Sequence, residues 1–122
     1  RLADDGWQIF AWDLRGHGRS EGKRGYIRHF NDYVDDFENF HALVRKKSGS
    51  LPFVFFGHSM GGLLTLRYLQ THQPEYTALA LSSPALGLSV QVPKFKEMLA
   101  NVAIKWFPTI TMHNEIKYTD LS

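Results

Sequence analysis

The sequence contains no cysteine among its 122 residues. Without thiols, the chain can form neither a disulfide framework nor a thiolate metal site. The absence fits a reducing compartment, so we expect a cytoplasmic protein, with association at a membrane surface left open. A membrane span is not expected either, because no apolar stretch approaches the roughly 20 residues that a spanning helix needs.

A strong charge of either sign is also lacking, since 14 Lys and Arg residues stand against 12 Asp and Glu residues. The one tight basic run, Arg45-Lys46-Lys47, falls at the end of a predicted helix, where cations suit the helix dipole. We interpret this run as a solvated helix end. No nucleic-acid partner is therefore expected.

Motifs for metals and nucleotides are missing as well. The chain has six histidines, and none is spaced with carboxylates as a metal site requires. We interpret His41 as part of a solvated helix face, and we expect no metal. Gly16-His17-Gly18 is followed by Gly22, one residue too late for a dinucleotide-binding loop, and no helix opens directly on it. No cofactor is expected.

What the sequence does contain is an alternation of apolar segments and amphipathic segments. Residues 7–12, 51–56 and 78–82 are short, apolar and bounded by turn residues, which predicts three strands. Between them we expect a helix capped by Asn31 or Asp32 and a second helix from about residue 62 to 71. Alternation of this kind predicts an α/β fold with a parallel sheet and helices on both faces.

One face of the first predicted helix is apolar. Its apolar residues recur at three- and four-residue spacing and form a single stripe, made of Tyr33, Val34, Phe37, Phe40, Leu43 and Val44.

The segment between the second predicted strand and the second predicted helix carries the strongest chemical signal. Residues 57–61 read Gly-His-Ser-Met-Gly, and a strand, a sharp turn with a central serine and a helix form the context of a nucleophile elbow. A serine hydroxyl becomes a nucleophile only when it is exposed, aimed and deprotonated by a neighbour. Ser59 is the candidate catalytic nucleophile.

The neighbours of Ser59 have predicted roles of their own. Gly57 and Gly61 are expected to be small because side chains there would collide with the adjoining strand and helix. The backbone N–H of Met60 is expected to be one donor of an oxyanion hole. His58 is not assigned as the base, because successive residues on a sharp turn point in different directions.

The chain changes character after Leu86. Pro93 opens a predicted helix from Lys94 to about Trp106, and Pro108 ends it. Its apolar spacing fits either an ordinary core helix or a lid over an apolar pocket. We expect a division into residues 1–86, a partial core that carries the elbow, and residues 87–122, the beginning of a cap.

Three motifs together resemble the α/β-hydrolase superfamily. They are Asp-Leu-Arg-Gly-His-Gly-Arg-Ser at 13–20, Gly-His-Ser-Met-Gly-Gly at 57–62 and Leu-Ser-Ser-Pro at 81–84. Within the superfamily they look most like the monoacylglycerol lipase and lysophospholipase group. The resemblance implies that Ser59 is the nucleophile, that Met60 follows it in the oxyanion hole, and that the substrate is a lipid monoester. It also allows peripheral membrane contact through the cap, and it leaves the oligomeric state unknown.

The resemblance implies that this chain is a piece of a longer protein. In this family the triad acid and histidine follow the cap, so both are expected beyond Ser122, and Asp120 and His113 are not promoted to these roles. The second oxyanion donor, and a strand between the first two predicted strands, would precede Arg1. We therefore expect the isolated chain to be inactive and to fold poorly.

Other functions stay open at this point. The same elbow serves small-ester hydrolases and serine peptidases, and a non-catalytic relative of the fold would serve as a binding protein.

Overall fold

The computed structural model describes residues 2–87, and the chain divides into two compact units, residues 1–89 and 90–122. The described elements are α1 (Asn31–Ser48), β1 (Val54–His58), α2 (Met60–His72) and β2 (Ala78–Ser82). The cap predicted for residues 87–122, with its helix, lies outside the described residues apart from residue 87.

The two strands pair in parallel, as the alternating pattern predicts. Val54 lies opposite Ala78 and His58 lies opposite Ser82, so the strands begin and end in register. Just before the strands, Thr77 donates its backbone N–H to the Phe53 carbonyl over 2.7 Å. The carboxyl ends of both strands therefore lie at one edge, which is where open α/β sheets bind their ligands.

The core lies between one face of β1 and the two helices. Phe55 points into it and meets Phe37 of α1 and Tyr68 of α2, with ring centroids 5.8 and 6.1 Å apart. Leu64 is the most deeply buried of the core residues, at 1% exposure. Both described helices thus cover the Phe55 face, and Phe56 on the other face is 71% exposed.

Helix α1 buries most of its predicted stripe, with two corrections. Leu43 is 61% exposed, because it lies about 100° around the helix from buried Val44 and turns away from the core. His41 was interpreted as solvated, yet it is buried. It lies only about 40° around the helix from Phe37. His41 is therefore on the same buried face of α1 as Phe37.

The beginning of α1 also differs from the prediction. Phe30 occupies the N-cap position, and no side chain there caps the helix. The Asp32 carboxylate instead accepts the backbone N–H of His29 over 3.2 Å. Neither Asn31 nor Asp32 is the cap residue, although Asp32 does satisfy one N–H just before the helix.

The strand predicted for residues 7–12 does not form among the described residues. A strand needs a hydrogen-bonded neighbour, and the described sheet contains only β1 and β2. Trp12 packs its ring against Phe37 and Phe40 of α1, with centroids 4.9 and 4.2 Å apart. Trp7 and Ile9 remain more than half exposed.

Candidate active site

Ser59 lies at the junction between β1 and α2, where the chain turns sharply. Its backbone has φ 50° and ψ −120°, a conformation that an L-residue adopts at a cost of about 1–3 kcal/mol. The strand ends one residue before it and the helix begins one residue after it. Ser59 is exposed, as a nucleophile must be. The predicted strand–turn–helix context of an elbow is confirmed.

Main-chain hydrogen bonds hold this turn from both sides. The Ser59 N–H donates to the Ser82 carbonyl over 3.0 Å. The Ser59 carbonyl accepts the N–H groups of Gly62 and Leu63 in α2 and of Ala85 beyond β2, at 3.0, 3.3 and 3.1 Å. The strained conformation is therefore fixed by the helix on one side and by the segment after β2 on the other.

The close contacts of the elbow involve Gly57 and Gly62. A Cβ atom on Gly57 would lie 2.7 Å from Gly62 Cα and 2.9 Å from the Gly61 carbonyl oxygen, which is the predicted collision of strand with helix. A Cβ on Gly61 would meet no described atom within 4 Å. The steric reason expected for Gly61 is therefore wrong for the described residues, because a side chain at Gly61 would point into open space. The small residue that meets β1 is Gly62.

Met60 is the first residue of α2, and its N–H is one of the four that a helix leaves without an intrahelical partner. The helix dipole also favours negative charge at this end. This placement suits an N–H that donates to an oxyanion next to Ser59. The oxyanion-hole role of Met60 stays a prediction.

The side chain of His58 bonds across the sheet rather than to Ser59. Its Nδ1 lies 3.1 Å from the Ser82 hydroxyl, and the described residues provide no hydrogen bond between His58 and the Ser59 hydroxyl. Nothing in this geometry makes His58 a base for Ser59.

The loop after residue 12 folds back on itself. The Asp13 carboxylate accepts the Arg19 N–H over 2.8 Å, and the Ser20 hydroxyl donates to the Asp13 carbonyl over 2.5 Å. A Cβ on Gly18, whose φ is +47°, would overlap the Asp13 carboxylate. The first helix begins only at Asn31, so no helix N-terminus opens on this loop as a phosphate site requires.

Arg15 ties the same loop to α1. Its Nε and Nη2 donate to the two carboxylate oxygens of Asp36 over 2.6 and 2.5 Å. This hydrogen bond, with the negative charge beside it, raises the pKa of Arg15, so the guanidinium stays charged. The Arg-Gly-His-Gly-Arg-Ser motif is thereby anchored to the helix that packs beside the elbow.

Arg45 was interpreted from the sequence as part of a solvated helix end. Its side chain instead contacts other parts of the chain. Its Nη2 donates to the Glu75 carbonyl over 2.7 Å, and its guanidinium lies 4.5 Å from the Phe53 ring centroid. These residues line an open groove of about 990 Å³ near the beginning of both strands. The groove therefore lies at the opposite end of the strands from Ser59 and is not part of the elbow.

His41 and Tyr68 form a buried polar pair in the core, with His41 Nδ1 2.8 Å from the Tyr68 hydroxyl. Burial, together with the positive charge of Arg45, lowers the pKa of His41. Burial raises the pKa of Tyr68.

Within residues 2–87, no three His, Asp or Glu side chains come together as metal ligands would. The helices of the same stretch also lack the length and apolar character that a membrane span requires.

Sequence reasoning missed the segment of residues 82–85 as part of the site. Its signal was visible, because Ser83 and Pro84 follow directly on an apolar strand that ends at Ser82. Its contact with the elbow depends on strand pairing, which the sequence alone does not display.

A serine held in a strained turn between a parallel strand and a helix defines the nucleophile-elbow class of α/β-hydrolase proteins. Comparison with known families agrees: the Hydrolase_4 family, described as "Serine aminopeptidase, S33", matches residues 1–122. The chain belongs to this α/β-hydrolase family.

Individual relatives carry lipase names. The monoacylglycerol lipase of Mycolicibacterium smegmatis is 35% identical over 114 residues, covering 93% of this chain and 41% of that protein. Lysophospholipase L2 of Escherichia coli strain K12 is 31% identical over 106 residues, covering 83% of this chain and 30% of that protein.

A solved structure is similar too. The crystal structure of the Paleococcus ferrophilus monoacylglycerol lipase aligns with a TM-score of 0.56 and 33% identity, covering 87% of this chain and 38% of that one. The chain therefore spans less than half the length of each of these three proteins.

Proposed function

We propose that the protein is a serine ester hydrolase that acts on lipid monoesters, either monoacylglycerols or lysophospholipids, through an acyl-enzyme at Ser59. The observation that carries the proposal is the backbone of Ser59, whose φ of 50° at the strand-to-helix junction presents an exposed hydroxyl. The names of the relatives supply the substrate class, since they are lipases and a lysophospholipase.

The proposed reaction is acyl transfer in two steps. Ser59 Oγ attacks the ester carbonyl carbon and passes its proton to a general base, while the Met60 N–H donates to the oxyanion that develops. The tetrahedral intermediate expels the glycerol or glycerophosphate alcohol, which takes a proton, and leaves an acyl-enzyme. Water then attacks the acyl carbonyl, releases the fatty acid and restores the Ser59 hydroxyl.

The base and its acid partner are proposed to come from outside residues 1–122. In this family the chain order is nucleophile, acid and histidine, and the cap that begins near residue 87 would precede the last two. A cap over the acyl-chain pocket also offers a place for peripheral contact with a membrane surface.

Active-site labelling of the full-length protein tests the proposal. A fluorophosphonate should label Ser59, and Ser59→Ala should abolish both labelling and hydrolysis of monoacylglycerols. Ser50→Ala is the matched control, because it removes an exposed hydroxyl in the turn before β1. A protein that is not labelled at Ser59 would instead be a non-catalytic binding relative.

A peptidase or a small-ester hydrolase is the second candidate, and the description of the matching family as a serine aminopeptidase favours the former. Both would use the same acyl-enzyme. Comparing monoacylglycerols of increasing chain length with acetate esters and aminoacyl anilides separates them. A lipase should prefer medium or long acyl chains, whereas faster turnover of an aminoacyl anilide would replace the lipase proposal with a peptidase.

A further inference from the structure

The two strands of the sheet end at the same level and turn in the same unusual way. His58 and Ser82 are register partners at the ends of β1 and β2. The residues that follow them, Ser59 and Ser83, both have positive φ, at 50° and 43°. Neither is glycine, so the left-handed conformation of each costs free energy and must be held by the surrounding contacts.

The segment of residues 82–85 forms hydrogen bonds with both the N–H and the carbonyl of Ser59. The Ser82 carbonyl accepts the Ser59 N–H, and the Ala85 N–H donates to the Ser59 carbonyl. Pro84 lies against the first turn of α2, so closely that a Cβ on Gly62 would be 2.8 Å from Pro84 Cβ. The peptide groups on both sides of the Ser59 Cα are thus set partly by the chain that leaves β2.

One side-chain contact closes this arrangement. His58 Nδ1 and Ser82 Oγ are 3.1 Å apart, which is within hydrogen-bonding distance. The bond joins the residue before the nucleophile to the residue whose carbonyl holds the nucleophile's N–H. It therefore restrains the strand ends at the point where the elbow departs from regular strand geometry.

We propose that Ser82 is a positioning residue for Ser59, acting through the hydrogen bond of its hydroxyl to His58 and through the main-chain contacts of residues 82–85. This inference rests on the proposed nucleophilic role of Ser59. The physical reason is that a reacting group must be held within about 0.5 Å of its productive position. Because the hydrogen bond described for the Ser82 hydroxyl goes to His58 and not to Ser59 or Met60, its effect is on placement alone.

The test uses the full-length protein and four variants: Ser82→Ala, Ser82→Thr, His58→Ala and the His58→Ala/Ser82→Ala double variant. The second-order rate of Ser59 labelling by a fluorophosphonate should fall about three- to tenfold in Ser82→Ala, as expected for a lost hydrogen bond that aligns the site. Ser82→Thr keeps the oxygen at the same place and should restore the rate to within about twofold of the parent. With an ester substrate, kcat should fall while KM stays the same.

The double variant identifies the hydrogen bond as the cause. If Ser82 acts through His58, the double variant should label no more slowly than either single variant, because the same bond is already lost. Thermal transitions of all variants, with Ser50→Ala as the matched control, show whether a loss of labelling follows from unfolding.

Three results would overturn the inference: parental labelling in Ser82→Ala, no rescue by Ser82→Thr, or additive losses in the double variant. The failure of the proposed function looks different. In that case the parent protein itself is not labelled at Ser59, and the inference falls with it.

Discussion

Gly57 and Gly62 approach each other so closely that a Cβ on Gly57 would lie 2.7 Å from Gly62 Cα. The first residue belongs to β1 and the second to the first turn of α2. Because the backbone of Gly57 fixes where a Cβ would lie and Gly62 Cα is itself a backbone atom, no rotamer change can relieve a collision there. The contact is the structural reason that the helix can start directly after Ser59.

Gly57→Ala should therefore destabilise the protein by about 1–3 kcal/mol, the range found when a packed site receives an extra carbon. Urea unfolding of the full-length protein measures the change. Gly61→Ala is the matched control, since its Cβ would meet no described atom, and alanine is favoured over glycine in helices by up to about 1 kcal/mol. Equal losses in the two variants would refute the packing argument.

The ion pair between Arg15 and Asp36 should contribute modestly and depend on salt. Their side chains are 44% and 25% exposed, so we expect Asp36→Asn to cost only about 0.5–1 kcal/mol at low ionic strength. The loss should shrink in 1 M salt, where the screening length is about 3 Å. Asp35→Asn is the control, because the Asp35 carboxylate acts on Arg15 only as a nearby charge and forms no ion pair within residues 2–87. A loss unchanged by salt would point to a structural role for Asp36 other than charge.

His41 should make the protein less stable in mild acid. Its pKa is lowered in the folded state from the ordinary value of 6.5. The contribution of neutral His41 is therefore complete above pH 6.5 and decreases as pH falls below it, where the unfolded chain binds a proton that the folded chain resists. The slope approaches about 1.4 kcal/mol per pH unit at most.

Unfolding free energies measured from pH 7.5 down to pH 5 check this expectation. His41→Leu should flatten the slope, although it also lowers stability at every pH by leaving the Tyr68 hydroxyl without its partner. His29→Leu, which replaces an exposed histidine, is the matched control. A parental slope in His41→Leu would show that the acid sensitivity comes from other groups.

Residues 1–122 expressed alone should fold poorly and show no ester hydrolysis above the level of their Ser59→Ala variant. Phe56 is 71% exposed on the face of β1 away from the core, and Ile9 is 60% exposed. We therefore expect binding of a hydrophobic dye and a broad thermal transition, with the full-length protein as the control. A sharp cooperative transition, or turnover of a p-nitrophenyl ester that depends on Ser59, would contradict the expectation.

Local patterns in the sequence were enough to predict the elements that carry the site. The second strand of the described sheet was predicted at its observed bounds, Ala78–Ser82, and α2 was predicted within two residues of each end. The first strand was predicted at residues 51–56 and lies two to three residues further along, at Val54–His58. These segments can be recognised locally, because an apolar run or a helical periodicity within one segment indicates which of its residues are buried. Ser59 was predicted as the candidate nucleophile for the same reason, since its motif and both flanks are contiguous in sequence.

Two of the predictions that failed depended on partners distant in sequence. Residues 7–12 are apolar like a strand, yet a strand requires a neighbour to accept its hydrogen bonds. His41 looked like a surface residue beside carboxylates, and only the packing of α1 on Phe55 and Tyr68 turned it into the core.

The sequence by itself determined the class of the protein and the candidate position of its nucleophile, because the motifs for both lie in contiguous residues, and the alternation of apolar and amphipathic segments predicted parallel strands. Only the tertiary structure decided which glycine meets the strand, which face of α1 is buried and which segment holds Ser59. These depend on atoms that the fold brings together across the sheet. The hydrogen bonds from Ser59 to Ser82 and Ala85 span more than twenty residues, and no local pattern reports a contact of that range.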